Sequence, residues 1–152
     1  MKDETVLKIL MDDGGFDIPI TETLVRSAAA NMVSGSSLIS YLAQISQDPL
    51  PVTGKILIAA AQNQRTRLEM LKILTRSTPD VQLTDTVFEE ACANKDVMIW
   101  LLDRQDKHLP IEKMVRRISE ERYDSGNVVQ TLLERDFLEV DKKLVEAMAG
   151  NF

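Results

Sequence analysis

The chain has 152 residues, 44% of them hydrophobic and 28% charged, with few Gly and Pro and only 5% aromatic. This is the composition of one globular domain or one short linear array, and it excludes a wholly disordered or collagen-like chain. The net charge of -6, with Lys and Arg scattered among acids, speaks against a general nucleic-acid binder, because phosphate contacts need clustered cations.

In chain order, the apolar pattern predicts two kinds of helix in alternation. The chain opens on Val6-Leu7-Lys8-Ile9-Leu10, four apolar residues in five around a polar middle one. That pattern describes a helix gripped on a wide face, here designated B. A connector from Asp12 to Ile20 follows, in which Gly14, Gly15 and Pro19 stop the helix, and Phe16, Ile18 and Ile20 alternate as if to pack on the next layer. Thr21 to Asn31 predicts a helix of the second kind, A. Thr21 can cap its start, Leu24, Val25 and Ala28 form one stripe, and the late alanines let a neighbour approach closely. The closing Asn suits a left-handed terminus, and Ile20 ahead of the cap suits a hydrophobic staple.

The alternation continues. B returns as Leu38–Leu42, then a connector from Gln47 to Val52, then A as Thr53–Asn63. Met70–Leu74, the connector Ser77–Leu83 and Thr84–Asn94 repeat the series. Val97–Leu101 and the connector Gln105–Ile111 lead to a degenerate A copy around Glu112–Ser119, in which Pro110 or Ile111 replaces the cap. Val128–Leu132, the connector Asp136–Val140 and Asp141–Asn151 complete the chain. Leu24, Ile56, Val87, Met114 and Leu144 are equivalent, separated by 32, 31, 27 and 30 residues, a mean period of 30.

Two periodic series at one spacing predict an all-α solenoid of helix-turn-helix repeats, about four and a half units of roughly 30 residues, with each B helix between two A layers. The approximate repeats are 1–18, 19–50, 51–81, 82–108, 109–137 and 138–152, within a single domain over 1–152. Both outer repeats are partial and lack the polar outer face of a capping repeat. A longer array and end-to-end self-association through uncapped ends are therefore expected.

A 30-residue unit with small residues late in helix A and Val-Leu-x-x-Leu in helix B resembles ankyrin repeats. It looks closer to a divergent ankyrin-like family found in tandem at the C-terminal ends of fungal NLR-like signal-transduction ATPases, relatives of innate immune receptors. The stretches that carry the resemblance are Ile20 to Asn31, Lys95-Asp96-Val-Met-Ile-Trp-Leu-Leu-Asp-Arg104, Asn127 to Asp136, and Val140 to Asn151. The resemblance implies a module that binds a protein ligand, or folds back on the parent receptor's own domains. In ankyrin-like arrays the fifth residue after the A-helix cap points outward, which carries over to Arg26, Ile58, Glu89, Arg116 and Glu146. Connector residues Phe16, Asp48, Asp80 and His108 would extend that ridge.

The chemical inventory favours binding over catalysis. His108, the one histidine, lies in a connector and reads as a solvated loop residue. Cys92, the one cysteine, excludes a disulfide framework and reads as a buried small hydrophobe within a helix. Asp12 and Asp13 beside two glycines read as a hydrated turn, and no Gly-x-x-x-x-Gly-Lys loop is present. Trp100 falls at a B-helix core position. No apolar run approaches a membrane span, so the expectation is a cytoplasmic, non-enzymatic module with no metal or cofactor and no nucleic-acid or membrane partner. A structural spacer or autoinhibitory scaffold without its own ligand is the alternative, and a small enzyme would need a deep polar pocket.

Overall fold

The computed structural model describes residues 19–92, 94–104, 109–120 and 125–135. Among them are eight helices and no strand: α1 (Glu22–Ala30), α2 (Gly35–Ile45), α3 (Gly54–Gln62), α4 (Arg67–Ser77), α5 (Asp85–Ala91), α6 (Lys95–Arg104), α7 (Ile111–Glu120) and α8 (Ser125–Glu134). The all-helical expectation holds, and α1, α3 and α5 each begin on the residue after the predicted Thr cap. The first B helix, the connector from Asp12 and the last A helix fall outside the described residues. The chain divides into two compact units, Met1–Leu83 and Thr84–Phe152.

Thr21, Thr53 and Thr84 all take the extended backbone of an N-cap, but they do different work. The Thr21 hydroxyl accepts from the Leu24 N–H at 3.3 Å, covering one of the donors that a helix start leaves over. The Thr53 hydroxyl instead donates to Glu22 on α1, at 3.0 Å. Thr84 makes no side-chain cap bond. The cap position was legible, while the role of the hydroxyl depended on which neighbour stood in reach.

The closing asparagines correct the left-handed expectation. Asn31 and Asn63 have φ of -73° and -72° with ψ of 109° and 98°, an extended backbone. Their side chains serve the following helix. Asn31 Oδ1 accepts from the N–H groups of Val33 and Ser34, both at 2.9 Å, and Asn94 Oδ1 accepts from Val97 N–H at 3.0 Å. An Asn side chain that captures backbone donors two and three residues on turns the chain directly into a new helix, without positive φ.

In the first unit, α1 packs on α2 and α3, α2 on α4, and α3 on α4. A helices therefore meet A helices and B helices meet B helices. This corrects the placement of each B helix between two A layers. The alanines decide it: Ala28 and Ala29 of α1 and Ala60 and Ala61 of α3 are buried, so their small side chains sit at a close helix contact. On the B side Ile39, Leu42, Met70, Leu71 and Leu74 are fully buried, as are Ile56 and Leu57 of α3. Each such side chain contributes about 1.5–3 kcal/mol by leaving water.

The second unit pairs its helices the same way: α5 with α6 and α7, α6 with α8, and α7 with α8. Val87, Ala91, Met98, Leu101, Met114 and Leu132 form its core. Cys92 is buried as expected, its Sγ 3.0 Å from the carbonyl of Glu89 and 3.7 Å from that of Met114 on α7. Trp100 departs from the core expectation. It is half-buried, with the Arg104 guanidinium 5.8 Å from its ring centroid, so its outer face supports a cation.

The connectors hold a motif that the sequence reading passed over. In Leu50-Pro51-Val52 and Leu109-Pro110-Ile111 the third N–H donates to the first carbonyl, at 2.7 and 2.8 Å. The proline fixes φ at the centre of each three-residue turn. Leu50 and Leu109 are both buried, and the Leu50 carbonyl accepts from the Thr78 hydroxyl of the next connector at 3.1 Å. The turn thus drops a leucine into the core, then releases the chain into the next helix.

Candidate binding ridge

The predicted ridge residues divide by location. Arg26 is exposed on α1, and Arg116 is exposed on α7. Ile58 on α3 and Glu89 on α5 are half-buried, so Ile58 does not supply the open apolar position that the carry-over implied. Asp48 is exposed in the bend after α2, and Asp80 in the turn after α4. Phe16, His108 and Glu146 lie outside the described residues.

The second unit brings two of these positions together. Arg116 Nη2 lies 4.0 Å from Glu89 Oε2, joining equivalent positions on helices that pack side by side. They belong to a larger charge lattice. Lys113 of α7 lies 2.9 Å from Asp85 and 3.8 Å from Glu89, and Arg117 lies 3.9 Å from Glu90 and 3.8 Å from Glu120. The α5 side is acidic and the α7 side basic, so the two A helices meet in charge register. The hydrogen bond and the charge of Asp85 raise the Lys113 pKa above its ordinary value. Lys113, Asp85 and Arg116 are exposed, and Glu89, Glu90 and Arg117 are half-buried, so solvent screens these pairs. Their weight lies in fixing register more than in stability.

The first unit presents a different surface. Glu22, Thr23, Arg26, Ser27 and Ala30 are exposed along α1, and Lys55 and Gln62 along α3. Small and polar groups dominate there, and the Glu22–Thr53 hydrogen bond connects the helices on this side. At the α1–α2 turn Met32 is 49% exposed and Val33 71% exposed. The equivalent positions of the next turn are Gln64 and Arg65, so this apolar pair is particular to its copy and was not singled out in the sequence.

Among the described residues, no three His, Cys, Asp or Glu side chains gather as a metal ion would require. Among the same residues, no helix is long and apolar enough to cross a membrane. What the arrangement offers chemically is a row of side chains on adjacent helices, with charges placed for polar contact.

Comparison with known proteins adds one local similarity. A family model described as a domain of unknown function (DUF7104) matches residues 9–38, a stretch that includes α1 and the start of α2. No curated protein and no solved structure matches the chain.

Proposed function

We propose that this chain is a non-enzymatic, cytoplasmic recognition module built from ankyrin-like helical repeats, a solenoid of about 30 residues per unit within a larger signalling or immune-receptor-like protein. The carrying observation is the packing of equivalent helices in both units, α1 on α3 and α5 on α7. The 4.0 Å approach of Glu89 and Arg116 supports a row of fifth positions, and stacked repeats use rows of this kind as extended binding surfaces. The family-model match spans residues 9–38, the length of one period in this sequence, which supports a repeat as the unit of similarity. The partner is a protein, either another chain or a domain of the parent receptor.

One observation favours the spacer reading. Glu89 and Arg116 pair with each other, and a ridge that neutralises itself has less to offer a ligand. Affinity capture from host-cell lysate separates the two readings. It uses the full chain and a variant with Arg26, Glu89, Arg116 and Glu146 all changed to Ala, and purified candidates are then titrated by calorimetry. Recognition through the ridge predicts a partner bound by the first and lost by the folded variant. Equal binding by both refutes the ridge, and no saturable partner for either supports the spacer.

A further inference from the structure

We propose that Asn63 is a coupling latch: its carboxamide ties the α3–α4 hairpin to the end of α1, so that the two hairpins of the first unit gain and lose order together. The side chain is buried, 1% exposed, at the turn between α3 and α4. Its two ends face different hairpins. Oδ1 accepts from the N–H groups of Arg65 and Thr66, at 3.2 and 3.3 Å, and lies 3.5 Å from the Thr66 hydroxyl. That half starts α4. Nδ2 donates to the carbonyl of Ala29 at 3.2 Å and to that of Asn31 at 3.0 Å. That half closes α1: the Ala29 carbonyl lies in its last turn, where carbonyls find no partner within their own helix, and the Asn31 carbonyl, just beyond, also accepts from the Gly35 N–H at 3.0 Å.

The chemistry requires an acceptor on one side and a two-proton donor on the other, within one short side chain. Asp and Ser can start α4 but cannot make both donations, and Ala can do neither. Space is cleared for the amide by Gly35, the first residue of α2. A Cβ there would stand 3.2 Å from Asn63 Nδ2 and 3.0 Å from the Ala28 carbonyl. Asn31, the residue of the same rank one period earlier, supplies one of the two accepting carbonyls. A buried polar group satisfied on both faces is costly to loosen on either. Loosening α3–α4 therefore uncaps α1, and an event at the α3 ridge reaches the α1 ridge. This coupling does not depend on the identity of any partner.

Amide hydrogen exchange on the full chain tests the latch with three variants. Asn63→Asp keeps the acceptor that starts α4 but turns a carboxylate toward two carbonyls. Asn63→Ser keeps a shorter acceptor and is the milder change, should the others fail to fold. Asn63→Ala removes both halves. The latch predicts that at pH 7 protection of the α1 amides falls about tenfold or more in all three, as loss of a buried hydrogen-bonded group implies. In Asn63→Ser the amides of α4 keep more of theirs. Burial among carbonyls raises the folded-state pKa of the introduced carboxyl above its unfolded value near 3.9. The deficit of Asn63→Asp relative to the native chain, read from urea midpoints, is therefore largest at neutral pH and shrinks as pH falls toward about 4. Native-like α1 protection in Asn63→Asp or Asn63→Ser at pH 7 would overturn the latch and leave Asn63 as a cap of α4 alone.

Discussion

Two glycines occupy the same rank, the first residue of a helix, and an alanine at each should act with opposite sign. At Gly54 of α3 a Cβ would meet nothing within 4 Å. Gly54→Ala then only lowers the freedom of the unfolded chain and improves helix propensity, a gain of about 0.4–1 kcal/mol. At Gly35 of α2 the same methyl would lie 3.0 Å from the Ala28 carbonyl, 3.1 Å from Met70 Sδ and 3.2 Å from Asn63 Nδ2. The methionine sulfur can swing away. The Ala28 carbonyl is backbone in the last turn of α1, and the Asn63 amide cannot retreat without loosening its bonds to Ala29 and Asn31. Overpacking costs about 1–3 kcal/mol, and one weakened hydrogen bond adds about 1 kcal/mol. Against the same propensity gain, Gly35→Ala should lose about 2 kcal/mol net. Urea denaturation followed by circular dichroism measures both variants under one condition. A midpoint that falls for Gly35→Ala and rises for Gly54→Ala is expected. A Gly35→Ala midpoint at or above that of the native chain would refute the close approach of α2 to the Asn63 amide.

Thr21→Ala removes a cap bond that is made and should cost about 1 kcal/mol, whereas Thr84→Ala removes none and should cost measurably less in the same assay. Leu71→Ala, at a fully buried position of α4, should cost about 2–5 kcal/mol and lower the urea midpoint more than any change on the ridge. The Lys113–Asp85 pair should contribute evenly across neutral pH. Because the folded-state pKa of Lys113 is raised, its contribution is complete below the ordinary lysine value and is lost only as pH climbs through the raised one. Thermal midpoints of the native chain and Lys113→Ala should therefore converge only above about pH 10.5.

Much of the fold was legible because its signals are local. A Thr ahead of an apolar stripe located the starts of α1, α3 and α5, and runs such as Leu38–Leu42 and Met70–Leu74 located α2 and α4. The closing asparagine was visible but misassigned. After two or three alanines an Asn suits either a left-handed end or the first turn of the next helix, and here its side chain serves the next turn, at Asn63 with added contacts to the preceding hairpin. The layer order was missed for a related reason. A wide apolar face says that a helix is gripped, not by which neighbour, and the buried alanines of α1 and α3 carried the answer. On the ridge, Glu89 and Arg116 have opposite charge at equivalent positions 27 residues apart, a signal for mutual pairing that the sequence did carry. The half-burial of Ile58 depends on packing around α3, which spacing alone does not disclose.

Recognition through the A-helix ridge is tested most directly by amide chemical-shift mapping of the full chain as a purified partner is added. The account predicts that the shifted and broadened resonances gather on the exposed sides of α1, α3, α5 and α7, around Arg26, Ile58, Glu89 and Arg116. Shifts confined to the exposed B-helix positions Lys72, Arg76 and Gln130 would contradict it and move recognition to the B helices.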